Sequence, residues 1–235
     1  MAESLTQKEN LERSVLKWGG LAGILGGIVF LFVPIVQFGF VPPAPSDPSQ
    51  VVARFPSIIA PLTIGNNINF VADILYLALL VALYRGLRGT SLAPALFGTA
   101  MSILGLAVLF TETETQVAFA PISDLYHQAG TTGTQQQTLG YIWQATQGMF
   151  FELDVAAGLL LSLGFVLLGI AMIKSPSFGR RTGALSAILA AVATVGIALI
   201  PVLGEGSLVA VLAVPVFIVL PILWGWKLYR TSKIT

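Results

Sequence analysis

Acidic and amide side chains interrupt two apolar stretches of this chain. Asn66, Asn69 and Asp73 are spaced to lie on one face of a helix. Glu152 and Asp154 stand near the start of a second apolar stretch. A carboxylate inside a membrane-spanning helix is costly, and by default it indicates function. We expect the five residues to form an intramembrane polar cluster. A hydrogen-bond clamp between helices is the favoured interpretation, and a site for a proton or a small cation is the alternative.

A second set of potential ligands lies in the polar segment 112–147. Glu112, Glu114, Asp124 and His127 combine carboxylates with an imidazole, a donor set that suits manganese, calcium or zinc. Their spacing matches no recognised ligand pattern, so solvated loop charges are the better interpretation. We therefore expect no metal and no other cofactor.

The residue counts exclude several classes of site. The chain has no cysteine and one histidine, so disulfides, iron–sulfur clusters, thiolate zinc sites and haem held by two histidines are absent. No P-loop, zincin or glycosylation motif occurs in the sequence. We expect neither a nucleotide nor a nucleic acid as a partner.

The composition is that of an integral membrane protein. Hydrophobic residues make up 55% of the chain and charged residues 10%, where a soluble domain has about a quarter charged. Six stretches are long and apolar enough to cross a bilayer: 18–40, 67–86, 92–111, 148–173, 182–201 and 206–228. They predict an all-α polytopic bundle of six transmembrane helices, forming one domain over residues 1–235.

The basic residues predict the orientation of this bundle. All of them except Arg54 fall on one side of the six spans. Because cytoplasmic loops are enriched in Lys and Arg, both termini are predicted to be cytoplasmic, in a multi-pass protein of the plasma membrane. Segments 41–66 and 112–147 then become extracytoplasmic loops, and Asp47-Pro48 predicts a short surface helix over about 48–56.

Residues 1–17 are predicted to be cytoplasmic and to form an amphipathic helix. Leu11, Val15 and Trp18 share one face, which suits a helix lying on the inner leaflet. The first span then opens with Gly19, Gly23 and Gly27, a glycine zipper that lets a second helix approach closely. Packing within the chain is the favoured interpretation, and contact with a second copy or another membrane subunit is the alternative.

Several short motifs resemble a group of bacterial six-helix membrane proteins that form a domain family of unknown function. The similar segments, which span about residues 18–200, are Gly19–Gly23, Asp73, Ala82–Arg88, Gly169–Ser175, Phe178-Gly179 and Gly183. The loop 112–147 is more polar than in that family, and the turn 175–181 is less simple. The resemblance implies the fold and supplies no mechanism.

Three classes of function fit the sequence. The favoured one is a non-catalytic accessory or scaffold subunit of a larger membrane complex, because cofactor ligands are lacking and small residues line the first span. The alternative is a cation- or proton-coupled carrier or channel centred on Asp73. An enzyme acting on lipid or quinone through Glu152 or Asp154 ranks last, since no nucleophile or cofactor site accompanies them.

Overall fold

A computed structural model describes residues 2–42, 45, 47–115, 119–203 and 208–234. Within these ranges, the side chains of residues 2–8, 48–49, 112–115, 208–212 and 234 lie outside the description. The described chain is all-helical, as the composition predicts. Its helices are α1 (Ala2–Phe40), α2 (Pro48–Leu87), α3 (Leu92–Thr115), α4 (Phe119–His127), α5 (Gly133–Ile173), α6 (Arg180–Leu203) and α7 (Leu208–Ile234).

Every helix except α4 is long and apolar enough to cross a bilayer, which confirms the six predicted spans. The six close a ring in the order α1, α2, α3, α5, α6, α7, since each contacts the next and α7 returns to α1. α2 also contacts α4, α5 and α7, and so lies at the centre of the packing.

The two ends of the bundle differ. One end, called here the basic end, carries the start of α1, the α2–α3 turn, the α5–α6 turn and the end of α7. The opposite end, called the cap end, carries α4 together with the start of α2 and the start of α5. Which end faces the cytoplasm remains a prediction from charge.

A hydrophobic core runs through the six-helix bundle. α2 contributes Leu79, Leu80 and Leu83, which are almost fully buried. They pack with Phe165 and Leu168 of α5 and with residues of α6 and α7, among them Ala190, Ala193, Leu220 and Trp224. The indole of Trp224 stands edge-on to Phe165, with ring centroids 4.7 Å apart. Large apolar side chains therefore fill the interior between the helices.

A second, separate core lies at the cap end. Phe119 of α4 stacks against Trp143 of α5 with centroids 4.2 Å apart, and Phe55 of α2 meets the same indole at 4.8 Å. Val51, Val52, Ile58 and Phe150 complete this core. We call this unit the cap: the start of α2, α4 and the start of α5, held together by aromatic side chains.

The predicted loops 41–66 and 112–147 are mostly helical, which corrects the sequence interpretation. α2 begins at Pro48 and runs without interruption through Pro56 and Pro61 to Leu87. α5 begins at Gly133, after a capping box in which Thr132 accepts from the Gln135 backbone and Gln135 accepts from the Thr132 N–H. Burial of apolar side chains in the cap stabilises both helical extensions, including the polar start of α5.

The predicted N-terminal amphipathic helix and the first span form a single helix. α1 is continuous from Ala2 to Phe40, and Val15 and Leu16 pack against the bundle core. Glu12 accepts a hydrogen bond from Arg88 at 3.2 Å and lies 3.8 Å from Arg85, both at the end of α2. These contacts hold the part of α1 around Glu12 against the end of α2.

Candidate functional site

Asp73 is the most deeply buried acidic residue among those whose side chains are described, with 1% of its surface exposed. It lies within α2, and Asn69, one turn earlier, donates a hydrogen bond from Nδ2 to Asp73 Oδ2 at 3.2 Å. Asn66 is half-buried on the same face. The predicted polar face of α2 is therefore built around a carboxyl–amide pair.

Tyr76 extends this face by three residues toward the basic end. Its hydroxyl donates a 2.6 Å hydrogen bond to the Phe217 carbonyl of α7. In a regular helix this carbonyl would accept from the residue four positions ahead, which is Pro221 and has no N–H. Tyr76 thus supplies the donor that the proline removes. A proline inside a predicted span is the sequence signal that points to such a carbonyl.

α1 encloses the Tyr76 ring from the other side. The Phe30 ring lies 6.0 Å from it, centroid to centroid. A β-carbon on Gly26 would come within 2.9 Å of two Tyr76 ring carbons, so a larger residue at this position would displace the ring. The Tyr76 ring consequently lies between α1 and α7, and Asp73, one turn earlier on α2, is buried.

Glu152 and Asp154 are placed differently from Asp73. Both side chains are exposed on α5, near the level at which the cap meets the bundle. The neighbouring Leu153 and Val155 turn inward instead, to the cap core and to the bundle core respectively. The three acidic residues therefore do not share one buried pocket, and only Asp73, Asn69 and Asn66 form a continuous polar face.

Of the four candidate metal ligands, only Asp124 and His127 have side chains that the structure describes. His127 ends α4, where Nδ1 lies 2.8 Å from the Ser123 carbonyl oxygen and Nε2 lies 3.3 Å from the Ala53 carbonyl oxygen of α2. Asp124 is exposed. Glu112 and Glu114 belong to the last turn of α3, and their side chains fall outside the description. No group of three potential ligands occurs among the described residues.

The glycines of α1 lie against two helices of the same chain. Gly19 contacts Ala82 of α2, and Gly27 contacts Ile222 of α7. Gly23 lies between them, where a β-carbon would be 2.7 Å from Leu79 and 2.9 Å from the Pro221 carbonyl oxygen. The glycine face is therefore occupied by α2 and α7, as the favoured interpretation of the zipper supposes.

Three further polar contacts within the bundle have no obvious signal in the sequence. Trp224 donates from Nε1 to Ser186 Oγ at 2.8 Å, which joins α7 to α6. Thr194 donates to Ser162 Oγ at 3.0 Å, which joins α6 to α5. The Ser102 hydroxyl donates to the Gly98 carbonyl of the same helix, α3, at a point where α3 lies against Gly164 of α5. The first two bonds hold neighbouring helices together where lipid offers no competing donor or acceptor.

This arrangement has a limited chemical range. A carboxyl paired with an amide can hold a proton or accept a small cation, and it can equally fix the rotation of a helix. Comparisons of the chain with protein-family models, with curated proteins and with solved structures found no match. The resemblance drawn from short sequence motifs thus remains an expectation, and function has to be argued from the geometry.

Proposed function

We propose that this chain is a non-catalytic accessory or scaffold subunit of a larger membrane complex, with the cap as its docking platform. The observation that carries the proposal is the continuity of α2 and α5 through both hydrophobic cores. The two helices join the cap directly to the bundle, which suits a protein that positions a partner.

One face of α5 in the cap is available for such a partner. Tyr141, Ile142 and Met149 are 59%, 47% and 55% exposed, on the side opposite the buried Trp143 and Phe150. Exposed apolar strips of this kind commonly mark protein–protein contacts. Glu152 continues the strip toward the membrane, so a partner with an apolar helix and a basic residue fits it.

The test is recovery of the intact assembly from the source membrane in a mild detergent, followed by native mass spectrometry. We expect the chain to travel with one or more larger membrane proteins in a fixed ratio. The paired change Tyr141→Asp and Ile142→Asp should release these proteins, whereas Gln144→Asp with Gln147→Asp on the same helix should not. Migration of the wild-type chain alone, or equal release by both pairs, would contradict the proposal.

The second candidate function, a cation- or proton-coupled carrier, is favoured by a specific contact. Asp73 lies one turn from Tyr76, whose hydroxyl bonds the carbonyl freed by Pro221 in α7. A change in the protonation or ion binding of Asp73 would therefore act close to α7, a helix that lacks one backbone hydrogen bond at Pro221. Reconstituted in liposomes, Asp73→Asn should abolish ion flux while the protein stays folded. Flux at the wild-type rate would rule out this candidate.

A further inference from the structure

A positively charged groove continues from the contact between α1 and α7 at the basic end. On α1, Arg13, Lys17, Gly20, Ile24 and Gly27 follow one helix face at spacings of three or four. Gly20 and Gly27 contact α7, and a β-carbon on Gly225 would lie 2.8 Å from the Ile24 nitrogen. Arg13 and Lys17 therefore extend the face of α1 that packs on α7.

The matching face of α7 runs through Ile218, Ile222, Gly225, Tyr229 and Lys233. A β-carbon on Gly20 would lie 2.7 Å from both the Gly225 carbonyl oxygen and the Tyr229 nitrogen. Lys233, one turn further, places Nζ 4.6 Å from the centre of the Tyr229 ring. Because the two helices run in opposite directions, Arg13 and Lys17 lie level with the last turns of α7.

Four cationic side chains cluster where this contact ends: Arg13, Lys17 and Lys233 continue the two contacting faces, and Arg230 lies in the same last turns of α7. All four are exposed. We call this set the basic seam. The exposed indoles of Trp18 and Trp226 lie beside it, and tryptophan at a helix end is typical of the headgroup level of a membrane.

Among the side chains that the structure describes, nearby acidic residues compensate little of this charge. Glu12 faces α2, where it pairs with Arg85 and Arg88. Glu9 lies one turn before Arg13 on the same face and offsets one positive charge at most. Four like charges along one groove repel each other, and an anion placed between them relieves that repulsion.

We propose that the basic seam binds the phosphate headgroup of an anionic phospholipid, whose acyl chains lie along the exposed faces of α1 and α7. The charge, the aromatic residues at headgroup level and the apolar surface of Leu25, Ile28 and Val219 supply the three parts of such a site. The inference is independent of the proposed accessory role, since it concerns the other end of the bundle.

The experiment is native mass spectrometry of the whole chain in detergent, with phosphatidylglycerol or phosphatidylcholine added. We expect phosphatidylglycerol to be retained selectively. The seam variant carries Arg13→Gln, Lys17→Gln and Arg230→Gln. The matched control carries Lys174→Gln, Arg180→Gln and Arg181→Gln, three exposed residues at the same end but on the α5–α6 hairpin.

Each positive charge near a membrane surface contributes about fivefold to the binding of anionic lipid. The seam variant should therefore bind phosphatidylglycerol on the order of 100-fold more weakly, while the control variant keeps most of its affinity. Equal losses in the two variants would show a non-specific charge effect and overturn the proposal. Absence of a preference for phosphatidylglycerol in the wild-type chain would also overturn it, independently of how the variants fold.

Discussion

The cap and the bundle share two helices but are held together in different ways. In the bundle, glycines bring backbones into contact, as at Gly20 and Gly225, and a few hydrogen bonds join buried polar groups. In the cap, Phe55, Phe119 and Trp143 interlock through their rings. The difference fits the predicted topology, in which the cap lies in water and the bundle in lipid.

Water drives aromatic side chains together, whereas lipid is as apolar as leucine and gives helices no such drive. Close backbone packing and polar contacts must then supply the specificity within the bundle. α2 and α5 run through both regions: each contributes to the aromatic core of the cap at its start and to the close helix packing of the bundle further along. Variants that weaken one region and spare the other test this comparison directly.

Trp143→Ala should have the largest effect. Removal of a buried aromatic side chain typically costs about 3–5 kcal/mol, and Trp143 contacts both Phe55 and Phe119. We expect amide hydrogen exchange to rise in α4 and in the first turns of α2 and α5. Exchange in α6 and α7 should stay unchanged. Tyr141→Ala, on the exposed face of the same helix, serves as the control.

A uniform rise in exchange across α4, α6 and α7 after Trp143→Ala would contradict the comparison. The cap and the bundle would then unfold as a single cooperative unit, and the aromatic core would be part of one continuous structure. Confinement of the rise to the cap would show that α2 and α5 remain helical in the bundle while their extensions open.

Gly225→Ala tests the bundle in the same way. The added β-carbon would lie 2.5 Å from the Gly20 carbonyl oxygen and 2.8 Å from the Ile24 nitrogen, so α1 and α7 would have to separate. Overpacking of this kind costs about 1–3 kcal/mol. Equilibrium unfolding in mixed micelles measures the loss.

Gly39→Ala is the matched control for Gly225→Ala. Gly39 lies in α1 with no heavy atom within 4 Å of the added carbon, apart from the helix itself. It should be at least as stable as the wild type, because alanine favours helix more than glycine does. Equal destabilisation by both changes would mean that close backbone packing does not hold α1 against α7.

The sequence predicts the bundle far better than it predicts the cap. A bilayer-spanning helix needs only a long apolar run, so the six spans can be predicted from the sequence alone. The carboxylate of Asp73 stands out within one of these runs. The cap depends on contacts between segments that are distant in sequence. Its core residues Val52, Phe55, Trp143 and Phe150 are interspersed with polar residues, so they produce no long apolar run. The capping box of Thr132 and Gln135 is a local signal for the start of α5, but it lies inside a segment that composition alone interprets as a loop.

The candidate site shows the same division. Asp73 is flanked by apolar residues inside a predicted span, so the cost of a carboxylate there identifies Asp73 and its neighbour Asn69. The position of Glu152 and Asp154 depends on the rotation of α5, which neither composition nor spacing determines at the membrane boundary. Tyr76 was missed because its role lies in a contact with a carbonyl more than a hundred residues away.

Tyr76→Phe probes the polar contacts that specify the bundle. The substitution removes a single hydroxyl and keeps the shape of the ring. The Phe217 carbonyl then loses its donor, which Pro221 cannot replace because it has no N–H. A buried unsatisfied group costs about 1–3 kcal/mol. Pro221→Ala restores a backbone N–H four residues after Phe217, so Tyr76→Phe should cost clearly less in that background.

A double-mutant cycle of Tyr76→Phe and Pro221→Ala measures this coupling through the free energy of unfolding. Distant and independent changes add to within about 0.3–0.5 kcal/mol. Additivity within that margin would show that the tyrosine does not replace the missing helical hydrogen bond. A coupling above it would support a direct link between the face of Asp73 and the proline-containing helix.

His127→Phe should have the smallest effect, and it tests how α4 is joined to α2. The change keeps an aromatic ring but removes the contacts with the Ser123 and Ala53 carbonyl oxygens. A hydrogen bond contributes about 0.5–1.5 kcal/mol. Hydrogen exchange in α4 should rise modestly while the bundle is unaffected, and Asp124→Asn, an exposed neighbour, should change neither. If added zinc raised the Tm of the wild type, and both changes abolished that rise, His127 would be a metal ligand and this structural role would be wrong.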